Sequence, residues 1–330
     1  MERGRGPGAV SGDRAGRGPL TMVGGLLAAL FALALLSWTA VVEDVPPDAA
    51  GSGRPDGAAV TSPDDKPAQE PSGGSGVLGA SGGLDQAERP SGHAALVANP
   101  LYGTDRLSPL PCPVDEPDVD DAVAMEGFLH AVADCLDEAW TTQFARAGIP
   151  FEPPDRVFWS EPGVSPCRPY PSAAGAFYCR ASTSIYIGTS DVVEKWNGAT
   201  RSVVYASLLA HEYSHHVQGE SGLLEYYHEQ RELEPDPEGR NAWTRRSELQ
   251  ANCLAGAFLG SIRVTYPLDD GDLESLLEDA AATADREDGP ESERTHGSVD
   301  NGVWWTRTGW EEQAPGACNT WDVDDEDLVE

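Results

Sequence analysis

The chain has 330 residues, enough for one sizeable catalytic domain with extensions. Its 55 acidic residues outnumber 22 basic ones, for a formal charge of -33. A charge of that sign excludes sequence-independent binding to nucleic acid, whose phosphates would repel it, and no nucleic-acid partner is expected.

Residues 1–19 are rich in Gly, Pro and Arg, with Arg3, Arg5, Arg14 and Arg17 against Glu2 and Asp13. They are expected to form a basic, disordered cytoplasmic tail. Residues 20–42 carry no charge over 23 positions, long enough to cross a hydrocarbon core as a helix. With basic residues before it and an acidic chain after it, this segment is expected to be a single-pass transmembrane helix. The N-terminus then faces the cytoplasm and the catalytic part lies outside the cell. The alternative is a signal peptide and a secreted protein, but cleavage after Ala40 would put the bulky Trp38 where small residues are preferred. Residues 43–98 are rich in Pro, Gly, Ser, Ala and Asp, and read as a disordered linker to a domain over residues 99–330.

Within that domain, residues 121–147 place Phe128, Leu129, Val132, Leu136, Trp140 and Phe144 on one helical stripe closed by Gly148. His130 lies beside the stripe and is read as a surface histidine. Residues 156–159 form a strand candidate. Residues 177–187, with Ile185 and Ile187 alternating with Ser184 and Tyr186, read as the clearest strand, one whose edge an extended peptide could pair with. Residues 202–218 (SVVYASLLAHEYSHHVQ) read as a helix entering a core. A linking helix over 221–233 follows, with Pro235 to Gly239 ending it, then helices over 243–262 and 268–282 and a loop over 283–293. The fold class is therefore mainly α with a small β-sheet, α+β.

Inside the 202–218 helix, His211-Glu212-Tyr213-Ser214-His215 is an HExxH motif. A spacing of four turns both imidazoles to one side of the helix, half of a zinc site, with Glu212 within reach of a metal-bound water. His216 lies about 100° further round, toward solvent or a second carboxylate. Glu248 sits among Leu249, Cys253, Leu254 and Phe258 in the 243–262 helix. Thr244 is the expected N-cap of that helix, so the carboxylate of Glu248 is better explained as a third ligand, leaving a fourth tetrahedral position open. Asn252, one turn on, can accept the outer N–H of a ligand histidine. His228 is read as a surface residue, since two His and one Glu already complete the set.

HEYSHHVQ followed by RRSELQANCLAG resembles the neutral zinc metallopeptidases, an HExxH family with a downstream ELQAD-C-x-AG segment. The tail THGSVDNGVWWTRTGWEEQAPGACNTW is similar to that family's closing segment, and NPLY at 99–102 and FYC at 177–179 to its earlier landmarks. The resemblance implies a zincin-like metallopeptidase domain, with His211, His215 and Glu248 holding Zn(2+) and Glu212 as catalytic base. Two positions depart from the pattern. Asn252 stands where the family has aspartate, and residues 301–303 stand where it usually has an arginine.

Six cysteines, none in a CxxC pair, all follow the apolar segment, and export makes disulfides the expectation among 15 connectivities. Cys167 with Cys179 is expected across a Pro- and Gly-containing loop; Cys112 with Cys135 and Cys253 with Cys318 follow by sequence order. The expected chemistry is zinc-dependent hydrolysis of a peptide bond in a peptide or protein substrate, with Glu212 moving the proton of the attacking water. His296, in the closing segment, is the first candidate to face the oxyanion, and Tyr186 the second. Two other readings are a surface-anchored binding module with structural zinc and a hydrolase of cell-wall peptide crosslinks.

Overall fold

The structure, a computed structural model, describes residues 88–330 except 172–174, 197 and 287. The expected cytoplasmic tail, transmembrane helix and most of the linker lie outside the described residues. No helix among the described residues is long and apolar enough to cross a membrane.

Eight α-helices and five short strands are described. The first helix, α1 (His93–Val97), lies ahead of the expected domain start at Asn99. Its Leu96 is buried with Leu223, Leu224 and Tyr227, and Arg89 pairs with Glu220 at 2.9 Å. The long α2 (Ala122–Ala147) runs as expected. The Asp121 side chain caps its first turn, and Gly148 ends it in the left-handed region at φ 72°. Strands β1 (Asp155–Trp159), β2 (Gly163–Val164), β3 (Pro169–Tyr170), β4 (Ala176–Cys179) and β5 (Ser184–Gly188) follow.

The single strand expected over 177–187 is a hairpin, β4 and β5 in antiparallel register, with Phe177 opposite Tyr186 and Cys179 opposite Ser184. Residues 180–183 make the turn, with Thr183 at φ 47°. Apolar alternation continues on both sides of this turn, and Arg-Ala-Ser-Thr contains neither Gly nor Pro, so periodicity alone does not break there. The parallel partner β1 joins the other side, giving the order β1-β5-β4 with β5 buried along its whole length. The edge strands are thus β1 and β4, with β5 between them.

After α3 (Thr189–Lys195) comes α4 (Val203–Glu220), which packs against α2, β4 and the later helices. Its buried Tyr213 donates to Asp137 of α2 at 2.8 Å. Next come α5 (Leu223–Leu233) and α6 (Pro237–Ile262). The start of α6 corrects the expectation of an N-cap at Thr244. Asp236 is the cap, accepting from the Glu238 N–H, and Pro237 stands in the first turn. A proline lacks only an N–H that has no helical partner at that point, so the residues read as a terminator begin the next helix. Thr244 instead lies inside α6, donating to the Arg240 carbonyl.

The last helices are α7 (Asp270–Thr283), opened by an Asp269/Asp272 capping box, and α8 (Val299–Glu312). The α6–α8 crossing is close because glycines face each other's backbone. A Cβ at Gly309 would run into the Cys253 carbonyl, and one at Gly256 into the Thr306 carbonyl. All three expected disulfides are present: Cys112–Cys135, Cys167–Cys179 and Cys253–Cys318. The last ties the closing segment to α6.

Candidate metal centre

Helix geometry puts His211 and His215 one turn apart on α4, with ring centroids 4.8 Å apart and planes at 88°. Because α6 crosses α4, Glu248 meets both rings. Its Oε2 lies 3.1 Å from Nε2 of His211 and 3.3 Å from Nε2 of His215. Ligand atoms of all three residues fall within 4.8 Å of one another.

The outer ring nitrogens decide what these contacts are. Gln218 donates its amide N–H groups to the Ser247 carbonyl at 2.9 Å and to Gln250 Oε1 at 3.0 Å. Its Oε1 therefore faces His215 Nδ1, 2.9 Å away, as an acceptor. Asn252 Oδ1 accepts from Nδ1 of His211 in the same way at 2.8 Å. With hydrogen on both Nδ1 atoms, the neutral form of each ring presents its Nε2 lone pair toward the carboxylate oxygen. With both rings neutral, three electron-pair donors converge on one point, the donor chemistry of a divalent cation site. Ligands at about 2.0–2.2 Å from a tetrahedral zinc stand about 3.3–3.6 Å apart, slightly wider than the two separations seen here.

Toward a proton the cluster behaves as the same negative focus. Burial opposes a charge on the His215 ring, but Glu248, by charge and hydrogen bond, together with Glu212 and Gln218 outweighs it and carries the ring up to about 9. Burial would raise Glu248, yet the two imidazoles hold it well below the usual carboxylate range.

Glu212 is buried and, with His211 and Asn252, lines a cavity of about 440 Å3. His296 reaches that cavity from the segment before α8. Asp285 holds that segment in place, its carboxylate accepting from the backbone N–H groups of Thr295, His296 and Gly297 at 3.0, 2.9 and 2.7 Å. Tyr186, the second oxyanion candidate, is not among the cavity residues. It stacks on Phe177 at 4.8 Å inside an aromatic group with Trp159.

His216 corrects the expectation of a solvent-facing ring. It is 1 % exposed, donates from Nε2 to the Glu152 carbonyl at 2.7 Å and packs edge-on against Phe151. His228 is half-buried beside Tyr227 and outside the ligand cluster, and His130 is exposed.

Sequence reasoning missed several cavity residues: Trp196 beyond α3, Ser207 and Leu208 on α4, and Asp279 on α7. Asp279 stands in an acidic helix where nothing local separates it from Glu274 or Glu278. The role of Gln218 was also missed, although its place three residues after His215 was a usable signal.

Comparison with known proteins agrees with this geometry. The chain is 29% identical over 202 residues to the uncharacterized protein YpfJ of Escherichia coli strain K12, a span covering 58% of this chain and 70% of that protein. It is likewise 29% identical over 191 residues to the uncharacterized protein Rv2575 of Mycobacterium tuberculosis strain H37Rv, covering 52% of this chain and 62% of that one. No solved structure matches the chain significantly. The family described as "Putative neutral zinc metallopeptidase" matches residues 114–321, which include His211, Glu212, His215 and Glu248, and the chain belongs to that zinc metallopeptidase family.

Proposed function

We propose that this protein hydrolyses peptide bonds with a zinc ion held by His211, His215 and Glu248. The observation that carries the reading is the convergence of both Nε2 atoms on Glu248 Oε2 while Asn252 and Gln218 hold the Nδ1 protons outward. Bound there, zinc would supply Lewis acidity and a water of lowered pKa. Glu212, next to His211 and buried on the cavity wall, would take the proton of the attacking water on its carboxylate and return it to the leaving amine. His296 faces the same cavity and donates toward the carbonyl oxygen as charge develops there. Asn252 orients His211 without the negative charge an aspartate would add, so it weakens the ligand's basicity rather than removing it.

Three disulfides with no free cysteine among the described residues support a compartment that is oxidising, outside the cytoplasm. We place the domain at the outer side of the membrane, anchored by residues 20–42.

Metal content measured beside cleavage of a diverse peptide library tests the reading. Glu248→Ala loses zinc and activity together, since two imidazoles hold the ion weakly. Glu212→Gln keeps near-stoichiometric zinc while cleavage falls about 100- to 10,000-fold. Wild-type protein that binds zinc but cleaves nothing would instead fit a binding module with structural zinc.

A further inference from the structure

The cavity that holds Glu212 and His211 does not end at the metal cluster. Its wall also includes Leu208, Ala255, Trp196 and Asp279 of α7. The Asp279 carboxylate is half-buried there, and its Oδ1 accepts from the Trp196 indole N–H. That is the one hydrogen bond the described residues supply to a group able to accept about four. Lys195 contributes positive charge nearby. Its ammonium lies over the face of the same indole, 5.1 Å from the centroid, whereas Asp279 takes the indole edge.

Capping an indole N–H does not require a charge. An amide or a backbone carbonyl does the same without the cost of bringing a carboxylate out of water. Burial pushes the Asp279 carboxyl up to about 6, only partly opposed by Trp196, His211 and Lys195, so the group is held ionised at neutral pH against its surroundings. A half-buried acid with an open oxygen, in a largely apolar cavity beside the reacting groups, fits a ligand with an alkyl stem and a cationic end. The chain's charge of -33 also favours approach of basic peptides.

We propose that Asp279 is a specificity-determining residue that receives the side chain of a lysine or arginine flanking the scissile bond. The inference rests on reading this cavity as the peptide-cleaving site. Its substrates are then basic peptides, and the cation replaces water on the free Asp279 oxygen while its alkyl stem lies along Trp196 and Leu208.

The test uses the full-length, zinc-loaded chain and peptides identical except for Arg, Lys, norleucine or Glu on either side of the cleavage position. Binding is measured by calorimetry in the Glu212→Gln protein, and kcat/KM in the wild type. Arg and Lys peptides are expected to exceed the norleucine peptide by about tenfold in both, as for one partly desolvated ion pair. Asp279→Asn, which keeps an acceptor for Trp196, should bring that ratio to about one, and Asp279→Lys should turn the preference toward Glu. A ratio near one in unmutated Asp279 protein, or one that Asp279→Asn leaves intact, overturns the inference even where peptides are cleaved. Selective binding of basic peptides that the wild type never cleaves leaves Asp279's role standing and overturns the hydrolytic reading. Neither binding nor cleavage overturns both.

Discussion

His215 and His216 are neighbours in the chain and opposites in the structure. His215 turns toward Glu248, and its ring is carried up to about 9 against the opposing effect of burial. His216 turns toward Phe151, Tyr178 and the Glu152 carbonyl, and burial pushes its ring down to about 4. One side of α4 gathers lone pairs and carboxylates that only a ligand satisfies; the other side is closed by protein partners. The lesson is that the cavity side is organised for binding, while the far side is closed to hold the fold.

The largest expected effects come from exchanging the two rings for alanine. His215→Ala should abolish stoichiometric zinc in protein that still folds. In the metal-free protein it should also cost stability at neutral pH, because Glu248 and Gln218 lose the ring they hold, a cost that fades as pH rises through about 9. His216→Ala should cost about 2–4 kcal/mol through a cavity and a lost hydrogen bond, with zinc still bound by the folded fraction. Zinc lost from a stable His216→Ala protein would break the division between the two sides.

The closed side can be probed further at Cys179, the last residue of β4, next to the Tyr178 hydroxyl that meets His216 at 3.3 Å. The disulfide spans only 12 residues, so Cys179→Ser should lower stability by about 3 kcal/mol. Zinc affinity of the folded protein should not follow it down, and a parallel loss measured by competitive chelation would count against independent sides.

Asp279 makes the opposite prediction for the cavity side. Its carboxyl is raised by burial to about 6, so in the unliganded protein the ionised form is a strain on the fold above that pH. Asp279→Asn should therefore be more stable than wild type by about 2 kcal/mol at pH 7.5. As pH falls through 6 toward the unfolded value near 4, wild-type Asp279 takes up its proton in the folded state first and the advantage should fade. Trp196, Lys195 and His211 are the polar and charged groups that act on it. A variant less stable than wild type at neutral pH would make Asp279 a structural residue.

The smallest change sits at Asn252. Asn252→Asp should keep the hydrogen bond to His211 Nδ1 and add a charge behind it, tightening zinc or raising the cleavage rate about tenfold. No change in either would mean that the ring's orientation, not its basicity, is what this position supplies.

Much of the site was legible because its parts are local. His211, Glu212 and His215 need only one helical turn, and Glu248 stood out as a carboxylate among apolar neighbours in its own helix. His216 was misread for the same reason. Angle round the helix was known, but what lay opposite, the Phe151 ring and the Glu152 carbonyl, arrives from a segment more than sixty residues earlier. The hairpin was read as one strand because its turn carries no breaker, and the α6 start was placed late because a proline reads as an end as readily as a beginning.

The sequence by itself determined which residues could bind metal and the helices that carry them. Those properties follow from side-chain chemistry and from periodicities of a few residues. Only the tertiary structure decided that Oε2 of Glu248 meets both imidazoles, that Gln218 joins Asn252 in holding their outer protons, that Asp279 and His296 share a cavity with Glu212, and how the six cysteines pair. These depend on where α4, α6, α7 and the segment before α8 cross. That packing is set by the glycines at the α6–α8 seam and by buried surfaces distant in sequence, which no local pattern encodes.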